Sequence, residues 1–187
     1  MPNIVAISGS TRRASFNTML LRAAIERVPE GTTITVGSIR DIPLYDGDVE
    51  ATSGIPPAVQ ALKDQIAGAD GVLIVTPEYN NSIPGTLKNA IDWTSRPPAD
   101  MARVWGGRPV GIMGATPGNG GTGLAQAAWL PVLRTLGTLP FYGARLQVSN
   151  AGSVFDAEGK LVDDKIRGLL DKYMTTFAQF VARHGPR

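Results

Sequence analysis

The sequence predicts an α/β three-layer sandwich: a five-stranded parallel sheet of order 2-1-3-4-5 with helices on both faces. Three observations carry it. Short apolar runs alternate with segments of helical periodicity along the chain, the pattern of parallel strands joined by crossover helices. One run, Gly71-Val72-Leu73-Ile74-Val75-Thr76, is apolar on both faces, as a central strand covered from both sides must be. The strands number five, which favours this order over the six-stranded dinucleotide sheet. With 43% hydrophobic and 18% charged residues the chain can fill one core. No linker divides it, so residues 1–187 read as one domain.

Each element has a local reason. Ile4-Val5-Ala6-Ile7 is a buried strand stopped by Ser8-Gly9-Ser10. Phe16, Leu20, Leu21, Ala24, Ile25 and Val28 then recur at helical spacing until Pro29 and Gly31. Thr33-Ile34-Thr35-Val36 is the second strand, and Arg40 to Pro57, rich in Pro and Gly, reads as a long irregular connection. Ala58 to Ala67 is a helix closed by Gly68, the Gly71 run is the third strand, and Gly85 to Thr94 is a helix with Leu87, Ala90 and Ile91 inward. Pro109 to Met113 is the fourth strand. Leu124 to Leu136 is a helix that Pro131 should kink or restart. Arg145 to Val148 is the fifth strand, and Asp163 to His184 the last helix.

Composition removes whole classes of chemistry. There is no cysteine and a single histidine, His184. Thiolate nucleophiles, iron–sulfur clusters, cysteine or histidine zinc sites and a Ser-His-Asp triad are therefore excluded as expectations. A net charge of +2 provides no basic field for nucleic acid. No apolar run approaches the ~18 residues of a membrane span, and the first residues lack a secretory pattern. A cytoplasmic protein that works through a borrowed cofactor, or binds without chemistry, is what remains.

Three segments follow strand carboxyl ends, where ligands bind in open α/β sheets. Ser8 to Asn17 offers the hydroxyls of Ser10, Thr11 and Ser15, the Asn17 amide and the Arg12 and Arg13 guanidinium groups, all just before a helix start. This donor set suits a terminal phosphate monoester. It contains no G-x-G-x-x-G, and Val36 is followed by Gly37-Ser38 rather than a ribose-binding carboxylate. Helix capping by Ser15 or Asn17 is the plainer alternative. Thr76 to Gly85 is stiffened by Pro77 and Pro84, with Tyr79 and Ile83 for apolar contact and Asn80 and Ser82 as donors, which suits the edge and face of a flat heteroaromatic. Glu78 reads equally as a carboxylate at a helix N-terminus. Gly114 to Gly123 is rich in glycine and reads as a third ligand wall or a simple turn.

Gly9-Ser10-x-Arg12-x-x-Ser15-Phe16-Asn17, Asp41-Ile42-Pro43-Leu44-Tyr45-Asp46 and Thr76-Pro77-Glu78-Tyr79-Asn80-x-Ser82-Ile83-Pro84-Gly85-x-Leu87-Lys88-Asn89-Ala90-Ile91-Asp92-Trp93 resemble the NAD(P)H-dependent FMN reductase family, nearest its chromate and quinone reductase branch. The likeness runs in order to about Gly123 and weakens afterwards. It implies a flavodoxin-like fold and FMN as cofactor, with Ser10, Arg12, Ser15, Phe16 and Asn17 on the phosphate. Pro77, Glu78, Tyr79 and Asn80 would border the isoalloxazine, the loop around Thr116 would close the site, and Ser82 and Ala115 would be further cofactor contacts. Position 115 is Ala where relatives are expected to carry Ser. Lys88, Asp92 and Trp93 sit on a helix, where packing or a subunit interface accounts for them as well as chemistry does.

The resemblance further implies reduction of quinones, and of chromate, azo or nitro compounds, by NADPH or NADH. Hydride would pass through flavin N5, with no catalytic side chain and no metal. Small acceptors are then the partners, with neither nucleic acid nor membrane. A homodimer or homotetramer is expected, with Trp93, Trp105 and Trp129 in or beside segments able to face a neighbour, ordinary partly buried tryptophans being the alternative. A flavodoxin-like electron carrier is the alternative, and the balance of +2 counts against it because such carriers tend to be acidic.

Overall fold

The structure is a computed structural model and describes residues 1–186. In chain order the elements are β1 (Asn3–Ser8), α1 (Phe16–Glu26), β2 (Thr33–Gly37), α2 (Gly47–Ser53), α3 (Pro57–Ala67), β3 (Gly71–Val75), α4 (Gly85–Thr94), α5 (Met101–Val104), β4 (Pro109–Ala115), α6 (Gly123–Thr135), β5 (Leu139–Pro140), β6 (Leu146–Val148) and α7 (Asp164–His184). The sheet runs β2-β1-β3-β4-β5, every pairing parallel, and β6 also pairs with β4. This is the expected order with one refinement. The fifth position is shared by two short strands, β5 beside Pro109 and Val110 and β6 beside Met113 to Ala115. The chain leaves the sheet between them at Phe141–Arg145.

Alternation along the strands divides the core. Ile4, Ala6, Leu73 and Val75 face one side, where α1 and α7 bring Leu20, Leu21, Tyr173 and Phe177. Val5, Ile7, Val72 and Ile74 face the other, where α3, α4 and α6 bring Leu62, Ile66, Leu87, Trp129 and Leu133. A helix runs through Pro131 as part of α6. Arg108 is buried, and its guanidinium donates to the carbonyls of Val104, Ala67, Ala69 and Arg103. A cation there suits the C-terminal ends of α3 and α5.

Two expectations are corrected. The Arg40–Pro57 connection is not wholly irregular, because it contains α2. Asp46 caps that helix by accepting the Asp48 N–H at 2.8 Å, and no residue of α2 is buried. With no inward stripe, the segment had no helical period to read. The tryptophans are not interface residues in this chain: Trp93, Trp105 and Trp129 are all fully buried, consistent with the usual fate of so large an apolar ring.

The α2–α5 side is held by ion pairs. Glu50 accepts from Arg96 Nε at 2.8 Å and from the Tyr45 hydroxyl at 2.9 Å, and Arg96 holds its carboxyl below the usual range. Asp100 accepts from Arg103 and from Lys63 Nζ, the latter at 2.7 Å. Those two bonds, Arg103's first, bring its pKa from 3.8 down to about 2. A depressed carboxylate pKa adds stability that is present above the unfolded value and is lost as pH falls through the folded one. Between about pH 4 and pH 2 the urea midpoint should therefore fall more steeply in the parent than in Asp100→Asn. Parallel curves for the two proteins would contradict this.

Candidate functional site

The carboxyl ends of β1, β3 and β4 are adjacent in the sheet, so the loops that leave them meet. Between them lies a cavity of about 320 Å³, lined by Ser10, Arg12, Ser15, Phe16 and Asn17, by Pro77, Glu78 and Tyr79, and by Ala115, Thr116 and Pro117. Of the residues singled out in these loops, Thr11, Arg13, Asn80, Ser82 and Ile83 lie outside it, and Pro117 is the one wall residue that was not singled out. As a loop proline, nothing in its type had distinguished it.

The first loop is organised as an anion receptor. Ser15 is the N-cap of α1, accepting the Thr18 N–H at 3.3 Å, and is almost wholly buried. The next two amides, of Phe16 and Asn17, have no partner within the helix, as at any N-terminus. The Ser10 hydroxyl accepts from the Arg12 N–H at 3.3 Å, and Arg12 Nη2 donates to the Ala14 carbonyl at 2.8 Å. This folds the guanidinium back over the loop and leaves most of its donors free. The Asn17 side chain is engaged differently. Its Nδ2 donates to the Ala115 carbonyl and its Oδ1 accepts the Ala115 N–H, both at 2.9 Å. It ties the first loop to the end of β4.

In the second loop Tyr79 and Ser82 exchange both backbone hydrogen bonds, at 3.2 and 3.1 Å, around Asn80 (φ 51°) and Asn81 (φ 60°). Two central residues with positive φ define a type I′ turn, which asparagine tolerates. Asn80 lies at its tip and Ser82 closes its base opposite Tyr79; both are exposed, and neither lines the cavity. The turn adds to the stiffness that Pro77 and Pro84 suggest. Glu78 accepts the Ala125 N–H on Oε2 at 2.9 Å. Ala125 lies in the first turn of α6, whose N-cap Thr122 makes no side-chain capping bond to the helix amides. Glu78 is thus a helix N-terminal carboxylate supplied from the neighbouring loop, and it joins the second wall to the third. Thr116, in the third wall, is held by its N–H to the Val148 carbonyl at 2.9 Å.

The remaining motif residues hold the frame. Asn89 Nδ2 and Trp93 Nε1 both donate to the Pro43 carbonyl, at 2.8 and 2.9 Å, and the Tyr45 N–H donates to Asn89 Oδ1. They fasten Asp41–Asp46 onto α4. Lys88 and Asp92 pair at 2.7 Å along the same helix. Among the described residues no three His, Cys, Asp or Glu side chains gather as a metal site.

A phosphate monoester fits the first loop by donor count and by charge: two hydroxyls, unpartnered first-turn amides and a guanidinium. The other end of the cavity, with Pro77, the half-exposed Tyr79 ring and the backbone of Ala115 and Thr116, fits a planar ring system. A volume of about 320 Å³ falls within the ~300–1,000 Å³ of small-ligand sites. A parallel sheet in this order, with a phosphate-type loop after its first strand, defines a flavodoxin-like protein. The chain belongs to the NADPH-dependent FMN reductase family, whose model matches residues 2–152, and is accordingly an oxidoreductase with FMN as cofactor and NAD(P)H as electron donor. It is 43% identical to an NAD(P)H-dependent FMN reductase of Pseudomonas aeruginosa over 96% of this chain and 95% of that one. It is 39% identical to a 2-hydroxy-1,4-benzoquinone reductase of a Burkholderia species, over 95% of each. Among solved structures, the flavoenzyme NAD(P)H:(acceptor) oxidoreductase FerB of Paracoccus denitrificans matches with a TM-score of 0.89 and 32% identity over the full length of both. Among the described residues no helix is long and apolar enough to cross a membrane.

The loop assignment makes a measurable claim. Arg12→Ala should weaken FMN binding by about 1.5–2 kcal/mol, the lower part of the range for a hydrogen bond to a charged group because Arg12 is exposed. Fluorescence quenching of FMN on titration with each protein measures it, and equal affinities would remove Arg12 from the phosphate site.

Proposed function

We propose that the chain uses FMN seated in this cavity to reduce quinones with NADPH or NADH, and accepts chromate, azo and nitro compounds at the same place. The observation that carries the reading is the convergence of an anion-receiving loop and a stiff, largely uncharged wall on one cavity. Ser10, Arg12, Ser15 and the first-turn amides of α1 would hold the phosphate, and Phe16, Pro77, Tyr79, Ala115 and Thr116 would border the ring. Glu78 and Asn17 keep the three walls in register. Asn80 and Ser82 present donors from the rim. When bound, FMN supplies the hydride acceptor at N5, so the chain needs no nucleophile or catalytic acid of its own. Its residues position the ring, and the backbone donors around it favour the negative charge that reduction brings. Few polar side chains are aimed at an acceptor, and shape alone discriminates weakly. Breadth follows.

The 187 residues act on this reading as one flavin-binding domain, in the cytoplasm, assembled as a homodimer or homotetramer. Leu44, Tyr45 and Val49 remain exposed on one segment and are apolar surface suited to a neighbour. Anaerobic mixing of FMN-loaded protein with NADPH and with NADH, then benzoquinone, tests the activity. Bleaching of the flavin followed by reoxidation over many turnovers is expected. Bound FMN that only dithionite bleaches would make the chain an electron carrier.

A further inference from the structure

Two cavities of equal volume share the first loop as a wall. Ser10 and Arg12 line the one described above, whereas Thr11, the residue between them, lines the other. This second cavity, also about 320 Å³, lies between Thr11, the Ile39–Leu44 segment and the first turn of α4, at Thr86 and Asn89. Arg40 enters its wall and donates through Nη2 to the Thr11 carbonyl at 2.6 Å. The bond anchors the guanidinium and leaves its other donors unspent. Ile39 and Ile42 provide an apolar floor, and Asp41, held at φ 62°, a carboxylate acceptor.

Positive charge around the flavin cavity is one-sided. Arg12, Arg13 and Arg40 cluster on the flank of the first loop, and among the described residues none of them has an ion-pair partner. On the opposite flank the chain carries no charged residue between Arg108 and Arg134. A dinucleotide whose nicotinamide reaches the flavin must lay its diphosphate and adenosine outside that cavity, and the cationic flank attracts them.

Resting on the reductase reading above, we infer that the Thr11–Arg40–Thr86 cavity receives the adenosine end of the donor, with Arg40 on its 2′-phosphate, so that the chain prefers NADPH to NADH. The apolar floor takes a face of the adenine. Asp41 accepts from a ribose hydroxyl or the adenine amino group, which neither nucleotide lacks. Only the 2′-phosphate distinguishes the two donors, and a guanidinium bonded to a phosphate discriminates by about 10- to 100-fold against its absence.

Adenosine 2′,5′-bisphosphate and AMP, titrated into FMN-loaded protein by calorimetry, test the site without turnover. The bisphosphate should bind at least tenfold more tightly than AMP. Arg40→Ala should erase that difference and raise the KM for NADPH relative to that for NADH about tenfold or more, while Arg40→Lys keeps part of both. Thr86→Trp, which fills the cavity from an exposed helix position, should abolish binding of the bisphosphate without touching Arg40. Affinity for FMN is measured on each variant. If Arg40→Ala weakens it by disturbing Thr11, Thr86→Trp decides. Equal binding of bisphosphate and AMP to the parent, or a bisphosphate affinity indifferent to both substitutions, overturns the inference. Flavin that neither nucleotide bleaches defeats the reductase reading. Flavin bleached by both with a KM ratio blind to Arg40 defeats only this cavity.

Discussion

Gly114→Ala is expected to destabilise the apoprotein by about 3 kcal/mol, the upper end for forcing one extra carbon into a packed interior. Gly114 is buried in β4, and a Cβ there would lie far inside contact distance of both Thr122 Oγ1 and the Thr76 carbonyl. Neither neighbour can step aside. Thr76 is pinned by its N–H to the Met113 carbonyl at 2.8 Å and by Trp129 Nε1 on its hydroxyl at 3.1 Å. Thr122 is held by Gln126 on its own hydroxyl, also at 3.1 Å. Relief requires β4 to part from the loop after β3, which opens two walls of the cavity together, so FMN affinity should fall with stability. Gly120→Ala is the control. Its Cβ would rest 3.6 Å from Glu78 Oε1, ordinary contact, and urea unfolding should place it within about 0.5 kcal/mol of the parent. A Gly114→Ala protein as stable as Gly120→Ala would refute the packing account.

Those two glycines share a run in which the sequence offers nothing to rank them. Strands and helices were legible because each buries one face or two, and burial imprints a period of two or 3.6 on the residues. β1, β3, α4 and α7 carried that imprint clearly. α2 did not, because it buries nothing, and its existence rests on the Asp46 cap and on Glu50 meeting Tyr45 and Arg96. The split of the fifth strand into β5 and β6 depends on how the chain detours at Phe141, which no local pattern announces. The site was legible as far as chain position goes: loops after parallel strands must meet at one end of the sheet. What stayed illegible was the use of each side chain. Glu78 and Asn17 read from their neighbours as ligand contacts or local helix-terminus residues; in the structure they line the cavity and also bond Ala125 and Ala115, 47 and 98 residues away. Asn80 and Ser82 look equivalent to Tyr79 until the type I′ turn carries them to the rim.

Asn17 therefore supports a sharper test, because its two possible roles predict different results without any ligand. If its amide served chiefly to hold phosphate, Asn17→Ala would leave the apoprotein unchanged and weaken FMN binding alone. We expect instead a loss of about 3–4 kcal/mol in the apoprotein. Asn17 is 4% exposed, and its side chain satisfies both the N–H and the carbonyl of Ala115. Removing it strands two backbone groups in a buried setting, each at a cost of about 1–3 kcal/mol, with some relief where water enters the gap. Asn17→Asp discriminates further. A carboxylate still accepts the Ala115 N–H but sets a negative charge against the Ala115 carbonyl, so one bond survives and the other turns repulsive. In Asn17→Asp, stability should improve as pH falls and the carboxyl protonates, becoming a donor to that carbonyl; the pH dependence is opposite in sign to that of the Asp100 ion pairs. Urea midpoints of apoprotein between pH 7 and pH 5 measure it, within a range where the loss of the Asp100 contribution has not begun. Parental stability in Asn17→Ala, or a flat pH response in Asn17→Asp, would return Asn17 to the role of a phosphate contact and leave the first loop joined to β4 by packing alone.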